Sequence, residues 1–284
     1  MANVISGKEV SSFLKEQAAE KVKELNQKGI NVCLAVILVG DDPASKVYVN
    51  NKKKACEVCG IESLEYVLPE STTQQELLEL VEKLNKDEKV NGILCQLPLP
   101  KHLDENAVIN AILPDKDVDC FHPENVGKLH IGSGLLKPCT PAGVMEMLKY
   151  AGIEISGRNC VVVGRSNIVG KPMASLLMAA NGTVTICHSR TKDLASFTKE
   201  ADILVVAMNK PKFITAEMVK DGAVVVDVGI HRMENGKLCG DVDYEAVEPK
   251  ASYITPVPGG VGPMTIAVLM QNTVTAAEIQ NGLI

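Results

Sequence analysis

Residues 160–190, CVVVGRSNIVGKPMASLLMAANGTVTICHSR, constrain the fold more than any other stretch of this chain. They open on an apolar run, 160–163, too short for a helix and rich in β-branched residues, which predicts a buried strand. Gly164 ends the run, Gly170 follows six residues later, and a small-residue helical pattern covers 173–180. A second strand-like run covers 183–187. Strand, glycine turn, helix and strand make the βαβ unit that binds dinucleotides, with the pyrophosphate over the helix N-terminus. The spacing is G-x-S-x-x-x-G rather than G-x-G-x-x-G, with Ser166 in place of the middle glycine and one residue added. Taken alone this pattern is weak, and a plain tight turn satisfies it equally.

The end of the second strand narrows the reading. Sites that prefer NAD carry an Asp or Glu there to bind the ribose 2′-hydroxyl. Here the residues are His188, Ser189 and Arg190, with no carboxylate. A hydroxyl and a guanidinium suit a 2′-phosphate, because Arg offers a planar fork of donors. Arg165, in the turn itself, adds a second cation, so NADP is expected over NAD. A solvated loop charge is the plain alternative for Arg190.

The same strand–helix alternation runs through the chain. Buried or short strands are expected at 32–39, 64–68, 92–97, 203–207, 224–228 and 253–255, and helices at 6–27, 44–59, 73–84, 103–112, 141–150 and 264–280. Alternation of this kind argues for parallel sheets with helices on both faces. With 284 residues there is room for two such domains. The fold class is therefore α/β, with two α/β domains on parallel-type sheets, the second a Rossmann-like NADP-binding domain, and a cleft between them. The first domain is assigned 1–140 with the C-terminal helix 264–284 returning to it, and the second 141–263. The chain is expected to cross near 137–141 and again near 256–263. Residues 113–141, rich in Asp, Gly and Pro, are expected to be an irregular loop, and a loop that long is usually functional. Gln96, Gly164 and Pro258 each follow a strand, where ligands of such sheets sit, and are expected to line one cleft.

Composition excludes several classes. The net charge is −6 and no basic stripe is interleaved with aromatics, which speaks against nucleic acid. No apolar run approaches the roughly 20 residues that span a bilayer. The polar N-terminus lacks a signal pattern, and a cytoplasmic protein is expected. The nine cysteines include one C-x-x-C, Cys56 and Cys59, with no second pair at zinc-binding spacing, so free buried thiols are the main reading and no metal is expected.

Four features carry candidate chemistry. Tyr48 and Lys52 are four apart on an expected helix and share a face. A lysine shielded from water near other cations, here Lys46, Lys53 and Lys54, can have a lowered pKa and act as a base, although a solvated basic face fits the pattern as well. Gln96 ends an apolar strand before Leu97 and either caps a backbone group or faces a ligand. Asp115, Asp117 and Asp119 alternate, but Cys120 and Val126 stand where a calcium loop needs Gly and Glu. One of these aspartates is instead suited to a ligand amide or amidine. Finally, PGGVGPMT at 258–265 packs three glycines and two prolines into eight residues, which suits either close backbone approach to a ligand or a hinge.

Together these stretches resemble the bifunctional methylenetetrahydrofolate dehydrogenase/cyclohydrolase family. The matching segments are YVNNK at 48–52, VNGILCQLPL at 90–99, DKDVD at 115–119, KPCTP at 137–141, VGRS at 163–166 with VGKP at 169–172, HSRT at 188–191, and PGGVGPMT at 258–265. They stand in the family's order over nearly the whole chain, and the G-x-S turn is the family's normal form. The resemblance implies oxidation of 5,10-methylenetetrahydrofolate by NADP to the methenyl cation, followed by hydrolysis to 10-formyltetrahydrofolate. It implies Lys52 as the acid/base group of the hydrolysis, positioned by Tyr48 and supported by Gln96, with Leu97 beside the substrate and Asp119 on the pterin. It implies Gly164, Arg165, Ser166 and Ser189 around NADP, Ile230 beside the nicotinamide half, and Pro258 and Gly259 on the folate side. A homodimer is typical of the family. One departure is Cys120, where the family usually has Gly. If that position requires φ > 0, the cysteine strains the loop, and its thiol is a candidate for oxidation. Rival readings are another two-domain NADP-dependent dehydrogenase acting on a small hydroxy or amino acid, a catalytically dead NADP-binding module, and a dehydrogenase that has lost the hydrolytic step. The first has no need of the segments at 96–100 and 258–265, and the retained Tyr48 and Lys52 argue against the other two.

Overall fold

Apolar runs with no polar alternation need cover on both faces, and the chain supplies it with two parallel sheets. The computed structural model describes residues 1–284, apart from the side chain of Ala44. In chain order the elements are β1 (Asn3–Val4), α1 (Gly7–Gln27), β2 (Cys33–Val39), α2 (Pro43–Cys59), β3 (Glu62–Leu68), α3 (Gln74–Lys86), β4 (Gly92–Cys95), α4 (Glu105–Ala111), α5 (Pro123–His130), α6 (Cys139–Tyr150), β5 (Asn159–Val163), α7 (Gly170–Ala179), β6 (Thr183–Cys187), α8 (Leu194–Thr198), β7 (Ile203–Val206), β8 (Val224–Asp227), β9 (His231–Arg232), β10 (Leu238–Cys239), α9 (Tyr244–Val247), β11 (Tyr253–Ile254) and α10 (Val261–Gln280). They form two compact units, one of Ser12–Cys139 with Ile266–Ile284, the other of Met1–Ser11 with Thr140–Thr265.

The first unit has a three-stranded parallel sheet in the order β3-β2-β4. All seven residues of β2, CLAVILV, are buried, which explains their unbroken apolarity. Its helices carry strong end signals. Asp42 caps α2 by accepting from Ser45 N at 2.7 Å, Pro43 occupies the first turn, and Gly60 closes the helix in the left-handed conformation at φ 73°. Thr73 and Glu76 form a capping box at the start of α3. Leu77, Val81 and Leu84 of that helix pack onto Ile37, Val39 and Ile93 of the sheet.

The second unit has a six-stranded sheet in the order β1-β11-β8-β7-β5-β6, parallel throughout, with β9 and β10 as a separate antiparallel pair. The chain leaves β5 outward to β6 and then returns to β7 on the other side. The β5/β7 boundary is thus the switch point at which open α/β sheets bind ligands. Gly164 sits there with φ 140°, and a Cβ on it would lie 2.2 Å from the Ala207 carbonyl oxygen after β7. A Cβ on Gly170 would lie 2.2 Å from the Gly164 oxygen. The two glycines of the G-x-S-x-x-x-G turn therefore let strand, loop and helix meet at backbone contact.

Two expectations need correction. Residues 1–11, placed by sequence in the first domain, belong to the six-stranded unit. Asn3 and Val4 pair in parallel with Tyr253 and Ile254, and a Cβ on Gly7 would overlap the Gly260 carbonyl. The chain thus passes between units three times, within α1, at the start of α6 and within α10. The stretch 113–141 is also more regular than expected. It holds a 3₁₀ turn, Pro114–Lys116, and helix α5, which starts at Pro123 behind a His122 cap. The buried Asp117 organises it by accepting from His122 N at 2.8 Å and from Asn125 Nδ2 at 3.0 Å.

Gly164→Ala is expected to destabilise the protein by about 3 kcal/mol or more, because both the backbone angle and the Ala207 oxygen oppose a Cβ. Urea unfolding of the variant checks this, and a loss below about 1 kcal/mol contradicts the close-approach argument.

Candidate functional site

In the first unit, the C-terminal end of β4 and helix α2 bring two of the candidate residues into contact. Lys52 is only 7% exposed, so it does not belong to a solvated basic face. Its Nζ donates to Gln96 Oε1 at 2.8 Å. Gln96 Nε2 donates to the Leu97 carbonyl at 2.6 Å, which fixes the amide with its oxygen toward the lysine. The Gln96 backbone N–H in turn donates to Ile37 O at 2.8 Å, so the amide stands on the central strand β2. Tyr48, one turn before Lys52 on α2, is 42% exposed and free to pack on a ligand.

Asp119 completes the cluster. Segment 117–119 lies along β4, with Asp117 bridged in parallel to Ile93 and Val118 packed where a Cβ on Gly92 would lie 2.7 Å away. Burial lowers the Lys52 pKa below its ordinary value, and the Asp119 charge acts in the opposite sense. Burial likewise raises the Asp119 carboxyl, opposed by the Lys52 charge. The cause of the lysine's shift is therefore desolvation, not the neighbouring cations. Lys53 instead pairs with Glu65 at 3.0 Å. The remaining aspartates of the alternating run go elsewhere, Asp117 into the loop bonds above and Asp115 to the surface.

Two residues of this cluster escaped sequence reasoning. The Cys139 thiol lies 3.4 Å from the Val118 carbonyl, within reach of the Asp119 carboxylate, and burial pushes its pKa well up. Asn272, buried in α10, donates through Nδ2 to Val118 O at 2.7 Å and Lys137 O at 2.8 Å. It thereby ties together the segments that carry Asp119 and Cys139. An Asn inside the apolar run VLMQNTV was the available signal for it.

Cys120 does occupy a φ > 0 position, at 60°. A non-glycine residue there costs about 1–2 kcal/mol. The side chain is fully enclosed, with Sγ 3.4 Å from Leu136 O, so burial offsets part of that cost and the thiol is shielded from oxidants. Cys56 and Cys59 are also buried, their thiols pushed up to about 12 and about 11 by burial, as expected for inert core cysteines.

In the six-stranded unit, Gly164, Arg165 and Ser166 form the turn after β5. Ser166 Oγ accepts from Val169 N at 3.1 Å and Gly170 N at 3.3 Å, doing for α7 what a capping side chain does. Arg165 and Ser166 themselves are exposed. After β6, His188 N donates to Thr191 Oγ1 at 2.9 Å and Arg190 N to His188 Nδ1 at 3.1 Å, a local turn that leaves Ser189 and Arg190 exposed. Ile230 lies 49% exposed in the loop after β8. Pro258 and Gly259 follow β11 in this same unit, with Gly259 at φ 100° and its Cβ position 3.5 Å from Lys8 Cε.

A parallel unit whose glycine turn sits at the switch point has the form of a dinucleotide-binding unit, and the second α/β unit holds a lysine shielded between an amide and a carboxylate. Residues 5–119 match the model of the tetrahydrofolate dehydrogenase/cyclohydrolase catalytic domain, and residues 138–281 that of its NAD(P)-binding domain. The bifunctional protein FolD of Acetivibrio thermocellus is 65% identical over 279 residues, covering 98% of this chain and 98% of its own. The crystal structure of FolD from Campylobacter jejuni superposes with a TM-score of 0.96 at 53% identity, covering 98% of this chain and 99% of that one. FolD of Trypanosoma brucei, solved with NADP cofactor and inhibitor, gives a TM-score of 0.93 at 40% identity over 98% of each chain. The chain belongs to the tetrahydrofolate dehydrogenase/cyclohydrolase family.

The electrostatics of the cluster yield a direct test. Lys52 is expected to titrate below 10.5, and Asp119→Asn to lower it further, because removing the anion leaves desolvation unopposed. NMR of ε-labelled lysine follows this without any substrate, and an upward shift in the variant contradicts the cluster.

Proposed function

We propose that the chain oxidises 5,10-methylenetetrahydrofolate with NADP and hydrolyses the resulting methenyl cation to 10-formyltetrahydrofolate, as a cytoplasmic homodimer in one-carbon metabolism. The observation that carries the hydrolytic half is the buried Lys52 amine held by Gln96. The family membership supports the pairing of that centre with a dinucleotide.

The second unit fits NADP on its own features. The close-packed Gly164 turn gives the pyrophosphate access to backbone, and Arg165 and Ser166 stand exposed beside it. Ser189 and Arg190 would hold the 2′-phosphate, since the first residues after β6, His188 to Arg190, include no carboxylate to repel it. When bound, NADP supplies the acceptor for the hydride of the substrate's bridging carbon. Asp119 accepts from the N–H groups of the pterin, and Tyr48 packs on the folate with Leu97. Pro258 and Gly259 are assigned to the folate as well.

Hydride transfer depends on placement and asks little of acid/base groups. Hydrolysis does ask for them. A lysine whose pKa is lowered by burial is poised to take a proton from water as the oxygen adds to the methenyl carbon. The same Nζ then returns a proton to N5 as the carbon–N5 bond breaks and the hydroxyl on that carbon gives up its own proton to solvent, which leaves the formyl group on N10 and releases one proton overall. Gln96 holds the amine in a fixed position through its 2.8 Å hydrogen bond. With a net charge of −6 and no basic stripe, the ligands are folates and dinucleotide rather than nucleic acid. Among the described residues, no helix is long and apolar enough to cross a membrane.

Lys52→Ala is expected to lower hydrolysis of methenyltetrahydrofolate by about 100-fold or more while NADP binds as before. Full hydrolytic activity in that variant removes Lys52 from the mechanism. Arg190→Ala is expected to weaken NADP by about tenfold and to leave NAD unchanged, as read by calorimetric titration. Tighter binding of NAD than NADP by the parent protein contradicts the assignment of the 2′-phosphate.

A further inference from the structure

The six-stranded unit contains a second polar cluster, formed by two enclosed carboxylates at the ends of β7 and β8. Asp241 is fully buried and accepts four hydrogen bonds. Its Oδ2 takes Met208 N at 2.8 Å and Asn209 N at 3.1 Å, and its Oδ1 takes Lys210 N at 2.7 Å and His231 Nε2 at 2.7 Å. Asp227, the last residue of β8, is 3% exposed and supports it from below. Asp227 Oδ1 accepts from Asp241 N at 3.0 Å and Gly229 N at 2.9 Å, and Oδ2 from Val242 N at 2.8 Å. The nearby glycines make room for this stacking. A Cβ on Gly240 would lie 1.9 Å from Asp227 Oδ2, and one on Gly229 would lie 2.5 Å from Asp241 Cγ.

Burying two acids side by side is unfavourable in itself, and the Asp227 carboxyl is pushed up to about 6 by burial and by the Asp241 charge. What the arrangement secures is the shape of two loops, 208–210 after β7 and 229–231 after β8. Both lie at the carboxyl edge of the sheet, on the far side of the switch point from β6. The 2′-phosphate end of the dinucleotide is assigned to β6 and the pyrophosphate to the Gly164 turn. The remaining half of an extended dinucleotide therefore runs across the ends of β7 and β8. Ile230, within the second loop, is half exposed there.

We propose that Asp241, seated on Asp227 and held by His231, is a positioning residue that sets loops 208–210 and 229–231 for the nicotinamide half of NADP. This rests on the reading that the unit binds NADP. The test uses the intact protein and two ligands, NADP and adenosine 2′,5′-bisphosphate, the second of which occupies only the adenine side.

His231→Ala removes one charge-assisted bond from Asp241 and is expected to weaken NADP by about tenfold, while His231→Gln, which keeps a donor, recovers most of that loss. Asp241→Asn places an amide against backbone N–H donors and is expected to weaken NADP by about 100-fold, with a matching rise in the KM for NADP. In both weakened variants the bisphosphate should bind as it does to the parent, and hydrolysis of methenyltetrahydrofolate should continue at the parent rate. Unchanged NADP affinity in His231→Ala overturns the proposal, and so does equal loss of both ligands from a variant that remains folded. If Asp241→Asn does not fold, the two His231 variants decide the matter. A parent protein that binds neither ligand refutes the underlying reading of NADP binding, and the proposal falls with it.

Discussion

Removing the Lys52 amine from water is the constraint around which the first unit is arranged. An ammonium transferred into a protein interior without a partner loses several kcal/mol of hydration, and the usual response is a lowered pKa. Here the amine keeps one hydrogen bond, to Gln96, and one opposing charge, Asp119. The balance leaves it below its ordinary value but still partnered. Each partner is itself fixed from behind. Gln96 hangs from β2 and Leu97, while the backbone before Asp119 is held by Asn272 from the C-terminal helix. The return of α10 to this unit thus places a clamp behind the buried lysine cluster as well as apolar cover over the sheet.

The six-stranded unit solves a different problem. A dinucleotide needs backbone within reach and little side-chain chemistry, so the decisive features are absences of Cβ atoms. Gly164 and Gly170 let β5, β7 and α7 converge at one point. Gly229 and Gly240 let two carboxylates stack beneath the neighbouring loops. In both places the glycine is required by an atom that occupies the space, and in only one of them, Gly164, by an unusual backbone angle as well.

Much of this was legible in the sequence, because fully apolar β-branched runs and strong helix caps are local signals. The strands of both sheets fall within a few residues of the expected positions, and α2 starts and stops at Pro43 and Gly60 as its residues suggest. What local pattern could not show was partnership over distance. Asn3 and Val4 form a strand only because β11 is beside them. The stretch after Leu113 looked irregular because its order comes from a buried aspartate and asparagine rather than from apolar periodicity. The Lys52 pattern was equally consistent with a solvated face, since burial depends on the segments at 96–97 and 117–119 that fold against it. Asp227 and Asp241 carried no signal at all, because their donors come from three separate loops. The condition attached to Cys120, by contrast, was readable from a single departure, and the backbone there is left-handed.

If one chain joins a dinucleotide-binding unit to a lysine-centred hydrolytic site, the same purified protein must carry out both half-reactions. The most direct measurement supplies methylenetetrahydrofolate and NADP to the purified protein, follows NADPH, and separately follows the loss of methenyltetrahydrofolate supplied alone against its spontaneous rate. NADPH is expected to form, with methenyl lost well above the spontaneous rate. NADPH formation with methenyl decaying only spontaneously would contradict it, since the buried lysine would then have no part in hydrolysis.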